Sequence, residues 1–287
     1  MLQRILPLTT LSLVFAFAAC GDDGNATTDS ATDAPTTSPT TTTPPTTTDA
    51  TTTDATTTDD PTTTGTTGEP VEMAMIRVVH LSPDGPPVDV YANGGETPVV
   101  SGLNVQNATD YLQVPAGDYT FAIAAAGTSL AEAVFTVGPL TLEANMSYTA
   151  VAVGKLAPNQ GDGGFDVVAL ADDKTDLAAG SVRVQVLHGA SAAAFAEVDV
   201  WEVSDPMMPL PLIEDFPFKS SGVLDVPASP LTVGLDVNND GMPDATFDVP
   251  ALPADAFVNV IAYSNGSDAP SLQAVLGPGA LTQLDPK

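Results

Sequence analysis

The chain has 287 residues and sets 36 acidic side chains against 7 Lys and Arg, a formal net charge of -29. A surface of that sign repels polyanions, which excludes nucleic acid as a partner and gives no electrostatic pull toward an anionic membrane. With Cys20 as the single cysteine, an internal disulfide framework is excluded as well.

Cys20 closes an apolar run. Arg4 supplies one positive charge, Ile5 through Phe17 carry none, and Ala18 and Ala19 precede the thiol. Charge, apolar core and small residues in that order are the layout of a signal peptide, and the run is too short for a membrane span. The expectation is a bacterial lipoprotein, with residues 1–19 removed and Cys20 carrying the lipid. The position before the two alanines holds Phe17 where such signals usually have Leu. The alternative is an ordinary cleaved signal, which would leave a lone thiol in an oxidising compartment. Gly21 rather than Asp after the cysteine resembles lipoproteins sorted to the outer membrane, so the expected location is the cell envelope, at the outer membrane or the cell surface.

From Ala26 to Gly68 the composition shifts to Thr with interspersed Pro, Asp, Ala and Ser. Such a stretch has too little apolar surface to offset the entropy of ordering. Residues 20–70 therefore read as the lipidated cysteine and a disordered tether, whose stretch 26–68 reaches on the order of 40 Å as a coil and about 130 Å in polyproline geometry. The Thr residues are candidates for O-glycosylation, although the same composition serves as a bare spacer. Four Asn sequons, at Asn25, Asn107, Asn145 and Asn265, are chance occurrences under a bacterial signal.

Beyond Val71 the sequence repeats. Ile76-Arg77-Val78-Val79-His80 and Val88-Asp89-Val90-Tyr91 answer to Val184-Gln185-Val186-Leu187-His188 and Val198-Asp199-Val200-Trp201. Val114 to Thr120 answers to Val226 to Thr232, and Tyr148–Val153 to Val258–Tyr263. Short runs of Val, Ile, Thr and aromatics alternate with Gly, Pro, Asn and Asp at spacings near ten residues, and no stretch holds a helical period. The expected fold is all-β: two tandem immunoglobulin-like β-sandwich domains, 71–176 and 177–287, after the disordered Thr-rich linker. A barrel is the lesser alternative. The Ala-rich pieces 122–126 and 191–196 read as strand and loop, despite their helical propensity.

The string Arg77 to Pro83, with Val88 to Tyr91 and Val114 to Gly117, resembles the domain of unknown function numbered 4397. Leu170 to Arg183 resembles that family's junction between copies. The second copy departs from the pattern, with Gly189, Ala190 and Ser191 after its histidine. The resemblance implies a β-sandwich in a secreted or lipid-anchored bacterial protein, and it implies no reaction and no catalytic residues.

Both histidines of the chain, His80 and His188, fall at the same place in the repeat. Ser82 and Asp89 lie near the first, which raises nucleophilic catalysis, but Ser191 and Asp199 keep neither the spacing nor a nucleophile elbow. The expected role of His80, His188, Asp89 and Asp199 is structural. The sharpest chemical signal is Asp236-Val237-Asn238-Asn239-Asp240-Gly241-Met242-Pro243-Asp244. Oxygen side chains at positions one, three, five and nine, with Gly at six, are what a calcium loop needs. Phe247 stands where an EF-hand has its closing Glu. An Asn-Asp-Gly turn between two strands accounts for part of the same run, and the two readings stay open. Calcium at Asp236, Asn238, Asp240 and Asp244 is thus the candidate cofactor.

These readings converge on a non-enzymatic envelope lipoprotein whose sandwiches bind a protein or glycan ligand or support the surface. Its membrane contact is expected through the lipid anchor alone. A calcium-dependent adhesion module is the alternative and an envelope hydrolase the weaker one.

Overall fold

The computed structural model describes residues 70–265 and 270–287. Cys20, the expected signal peptide 1–19 and the Thr-rich stretch 26–68 lie outside them. Residues 71–171 form β1 (Met73–His80), β2 (Val88–Ala92), β3 (Val100–Leu103), β4 (Asn107–Ala108), β5 (Leu112–Pro115), β6 (Gly117–Ala125), β7 (Phe135–Leu142), β8 (Ser147–Val153) and β9 (Asp166–Ala171). After Gly180 come β10 (Ser181–His188), β11 (Glu197–Glu202), β12 (Leu210–Pro217), β13 (Ser221–Pro227), β14 (Leu231–Asp236), β15 (Ala245–Val249), β16 (Phe257–Tyr263), β17 (Ser271–Val275), β18 (Gly279–Ala280) and β19 (Thr282–Leu284). The protein is all-β. Among the described residues the helical structure is two single 3-10 turns, Leu130–Glu132 and Ala193–Phe195. The second of these lies in one of the Ala-rich pieces, while Ala122 to Ala125 continue β6.

The strands make four sheets. The first runs β18-β4-β1-β8-β9, with β5 also on β1, and the second runs β3-β2-β6-β7. The third runs β13-β10-β16-β17-β19 and the fourth β12-β11-β14-β15. In the first sheet β1 and β8 are parallel, with Arg77 opposite Thr149, and in the third β10 and β16 are parallel, with Gln185 opposite Asn259. The repeat seen in the sequence is therefore also a repeat of strand pairing.

Strict alternation assigns each side chain of these central strands to one of two faces. On β1 and β8, Ala74, Ile76 and Ala150 enter a core shared with Val88, Val90, Phe121 and Ile123 of the second sheet. On β10 and β16, Val182, Val184, Val258 and Val260 enter a core shared with Val198, Val200, Leu235 and Phe247 of the fourth. The opposite faces are also buried, in a third core. Val79, Val151 and Val153 meet Leu187, Ile261, Tyr263 and Val275 there. The first and third sheets thus pack back to back, and the layers run second, first, third, fourth. Burial on both faces explains why β8 and β16 read as nearly continuous apolar runs, the pattern of strands with no solvated side.

Further links cross between the halves. Gly279 and Ala280 of β18 pair with Ala108 and Asn107 of β4. The loop after β8 reaches the loop after β10, where Gly163 N donates to Ser191 O at 2.7 Å and Ala193 N to Asp162 Oδ1 at 3.1 Å. Lys155 holds Asp162 from the other side at 2.7 Å.

Candidate functional site

His80 ends β1 with no solvent exposure. Its Nε2 lies 3.0 Å from the carbonyl of Pro86, and the amide of Ser82 donates to Nδ1 at 3.4 Å, an arrangement that fits the Nε2–H tautomer. Burial pushes its pKa down, against the pull of the Pro86 bond, so the ring is neutral. The Ser82 hydroxyl turns to Asp84 instead, at 3.4 Å. The imidazole and the hydroxyl that a triad would couple are therefore engaged with different partners.

His188 sits at the matching place against Phe216 and Phe218, with ring centroids 5.9 and 6.2 Å away. Among the described residues neither ring nitrogen has a hydrogen-bond partner, and neither does the buried hydroxyl of Ser191. Desolvation drives the His188 pKa down to about 4, outweighing the opposing influence of the Phe195 backbone.

The two repeat aspartates hold backbone. Asp89 faces two residues of β3 across a bulge, because Val88 pairs with Leu103 but Val90 with Val100. The extra residue is Gly102, at φ +63°, and its amide donates to Asp89 Oδ1 at 2.7 Å. Asp89 Oδ2 accepts the amide of Gly127 at 2.8 Å. In the second half the bulge recurs, with Val198 on Phe216 and Val200 on Ile213. There Asp215, at φ +52°, donates its amide to Asp199 Oδ1 at 2.7 Å.

The loop 236–244 joins β14 to β15. Asp236 is fully buried, and its carboxylate accepts the amides of Asn238 at 3.2 Å, Asn239 at 2.8 Å and Gly241 at 2.8 Å. Asn238 Oδ1 accepts the amide of Asp240 and Asp240 Oδ1 that of Met242. Asp244 takes the amide of Val237 at 2.9 Å and the Asn238 side chain at 3.1 Å. All four side chains share one loop, and each has at least one oxygen engaged by the loop itself. No cluster of three or more His, Cys, Asp or Glu positioned for a metal ion occurs among the described residues.

One polar cluster escaped the sequence reading. Where the first and third sheets meet, Thr149 Oγ1 receives Arg77 Nε at 2.8 Å and Asn259 Nδ2 at 3.0 Å, and donates to Asp172 Oδ2 at 2.7 Å. Tyr111 donates to the same Asp172 oxygen at 2.7 Å and lies under the Arg77 guanidinium at 4.7 Å. Burial, followed by the Asp172 bond, raises the Tyr111 pKa to about 12. The signal was present in the repeat: Arg77 and Gln185 interrupt equivalent apolar runs, and Thr149 and Asn259 are their strand partners.

Residues 74–201 match a family model described as Domain of unknown function (DUF4397). The matched stretch begins in β1 and ends in β11, so it takes in the first half and the opening strands of the second. Over it the chain is similar to that family. No curated protein matches the chain. No helix among the described residues is long and apolar enough to cross a membrane.

Proposed function

We propose that this chain is a non-enzymatic, lipid-anchored envelope protein. Residues 1–19 direct export, Cys20 carries the lipid, and 20–70 form the tether. Two immunoglobulin-like sandwiches, 71–176 and 177–287, form one head that binds a protein or glycan or supports the surface. The repeated strand pairings and the matching Asp-clamped bulges support two copies of one domain. The observation that carries the non-enzymatic reading is His80, whose two ring nitrogens are both committed to backbone groups of its own loop.

Detergent phase partitioning of the full chain and of Cys20→Ser tests the anchor. The wild type is expected in the detergent phase and the variant in the aqueous phase, and a wild type that stays aqueous overturns the reading.

Calcium-dependent adhesion through the loop 236–244 is the second reading. It is motivated by the spacing of Asp236, Asn238, Asp240 and Asp244, four oxygen-bearing side chains along one loop with Gly241 at its turn.

A further inference from the structure

The first half encloses an apolar cavity of about 90 Å³ between its two sheets. Apart from His80 its wall is aliphatic and aromatic, with Val90, Phe121, Ile123, Ala150 and Ala152 around it. A second void of about 50 Å³ shares His80, Val88 and Ile123 with the first and is bordered by Gly85, Val134 and Leu156. Val134 is 63% exposed and Leu156 41%, so the void opens onto an apolar patch of surface. A space walled in this way does not hold water well, whereas small hydrocarbons enter cavities only somewhat larger.

The second half supplies an internal comparison. The backbone that faces His80 is that of Pro86, which is exposed, and the backbone beside His188 is that of Phe195, which is buried in its core. At the bulge, Leu103 of the first half stands where the second has Phe216. Rings therefore occupy the surroundings of His188 at positions that carry smaller side chains around His80.

We propose that the first half binds the end of an uncharged aliphatic chain, with the terminal carbons in the cavity and the following ones along Val134 and Leu156. The chain is uncharged because the site offers nothing to a charge. The nitrogens of His80 are occupied, Asp84 sits beside the opening with its carboxylate on the amides of Leu156 and Ala157, and Lys155 is held by Asp162. The head of the bound chain lies at this opening, where a carboxylate would meet the like charge of Asp84. The inference rests on the head being a binding module, and it needs no membrane, so its failure is distinct from failure of the anchor.

The test is a titration of the full-length protein with 1-octanol, and separately with octanoate, read by methyl NMR and by melting temperature. Saturable shifts are expected at Val90, Ile123 and Ala152, with Val200, Leu235 and Ala262 of the second half unmoved. Octanoate should bind at least tenfold more weakly. Ala152→Leu, which fills the cavity, should abolish the shifts. Should that variant fail to fold, Val134→Asp at the exposed rim should weaken octanol binding about fivefold without changing the melting temperature. The proposal is overturned by the absence of saturable shifts, by equal shifts in both halves, by octanoate binding as tightly as octanol, or by insensitivity to the variants.

Discussion

Asp89 and Gly102 face each other across a β-bulge, and the carboxylate of the first accepts the amide of the second at 2.7 Å. Gly102 is left-handed there, so its amide points away from the regular ladder and needs an acceptor from outside it. The other oxygen of Asp89 holds the amide of Gly127 at the turn after β6. Asp89→Ala leaves two amides without partners and should cost about 2–4 kcal/mol in denaturant unfolding. Asp89→Asn, with one acceptor oxygen left, should fall between. Asp199→Ala should cost less than Asp89→Ala, because Asp199 holds the single amide of Asp215 and Asp236 serves the neighbouring loop. Equal costs for the two alanine variants would count against this division of roles.

The back-to-back packing of the first and third sheets predicts that the halves unfold together. Ile261, fully buried, shares the central core with Val79 and Val151 of the first half, and Thr149 bonds Asn259 across the same boundary. A single calorimetric transition is expected for the whole head. Ile261→Ala should lower it by about 2–5 kcal/mol through the cavity it leaves. Thr149→Val keeps the shape but strands Arg77 Nε and leaves Asn259 Nδ2 with Asp172 Oδ1 at 3.1 Å as its remaining acceptor, at a cost of about 1–3 kcal/mol. Two well-separated transitions, with either variant moving only one, would show the halves to be independent.

Strand content was legible in the sequence because period-two alternation bounded by turn residues is a local property. Val88-Asp89-Val90-Tyr91 announces a strand wherever it is placed. The back-to-back contact was not legible, because a continuous run such as Thr149 to Val153 does not say what covers its second face. The histidines were legible as a repeat feature, and their partners were not: Pro86 and Phe195 fill corresponding places with opposite burial. The loop 236–244 was found by its spacing alone, yet spacing cannot tell whether an aspartate oxygen is turned to a cation or to its own backbone amides.

Stability should fall as the pH drops from about 6.5 to about 4. In the folded protein burial holds His188 neutral down to about 4, whereas in the unfolded chain it takes a proton near 6.5. Between these values the unfolded state binds the extra proton, so acidification favours unfolding, and the full contribution of His188 is present above about 6.5. A shift of this size corresponds to about 3 kcal/mol. His80 is displaced in the same direction and adds to the slope. Asp162, held near 2 by Lys155 first of all, releases its share only at lower pH. His188→Phe should flatten the curve between pH 6.5 and 4 when urea midpoints are followed. An unchanged slope in that variant would assign the dependence to other groups.

Asp236 closes its own loop, and this separates the two readings of the segment 236–244. Three amides converge on a fully buried carboxylate, so Asp236→Ala leaves them unpartnered and should cost about 2–4 kcal/mol whether or not calcium is present. Asp240 is exposed and accepts the amide of Met242 alone, so Asp240→Ala should cost under about 1 kcal/mol. If the loop is a self-closed turn, millimolar calcium shifts the melting temperature of neither the wild type nor Asp240→Ala. If it is a cation site, calcium raises the wild-type melting temperature and Asp240→Ala loses the rise while keeping its calcium-free stability. Thermal unfolding with calcium and with a chelator, on wild type and both variants, discriminates between the two. The hydrogen bonds already made by all four side chains favour the first outcome.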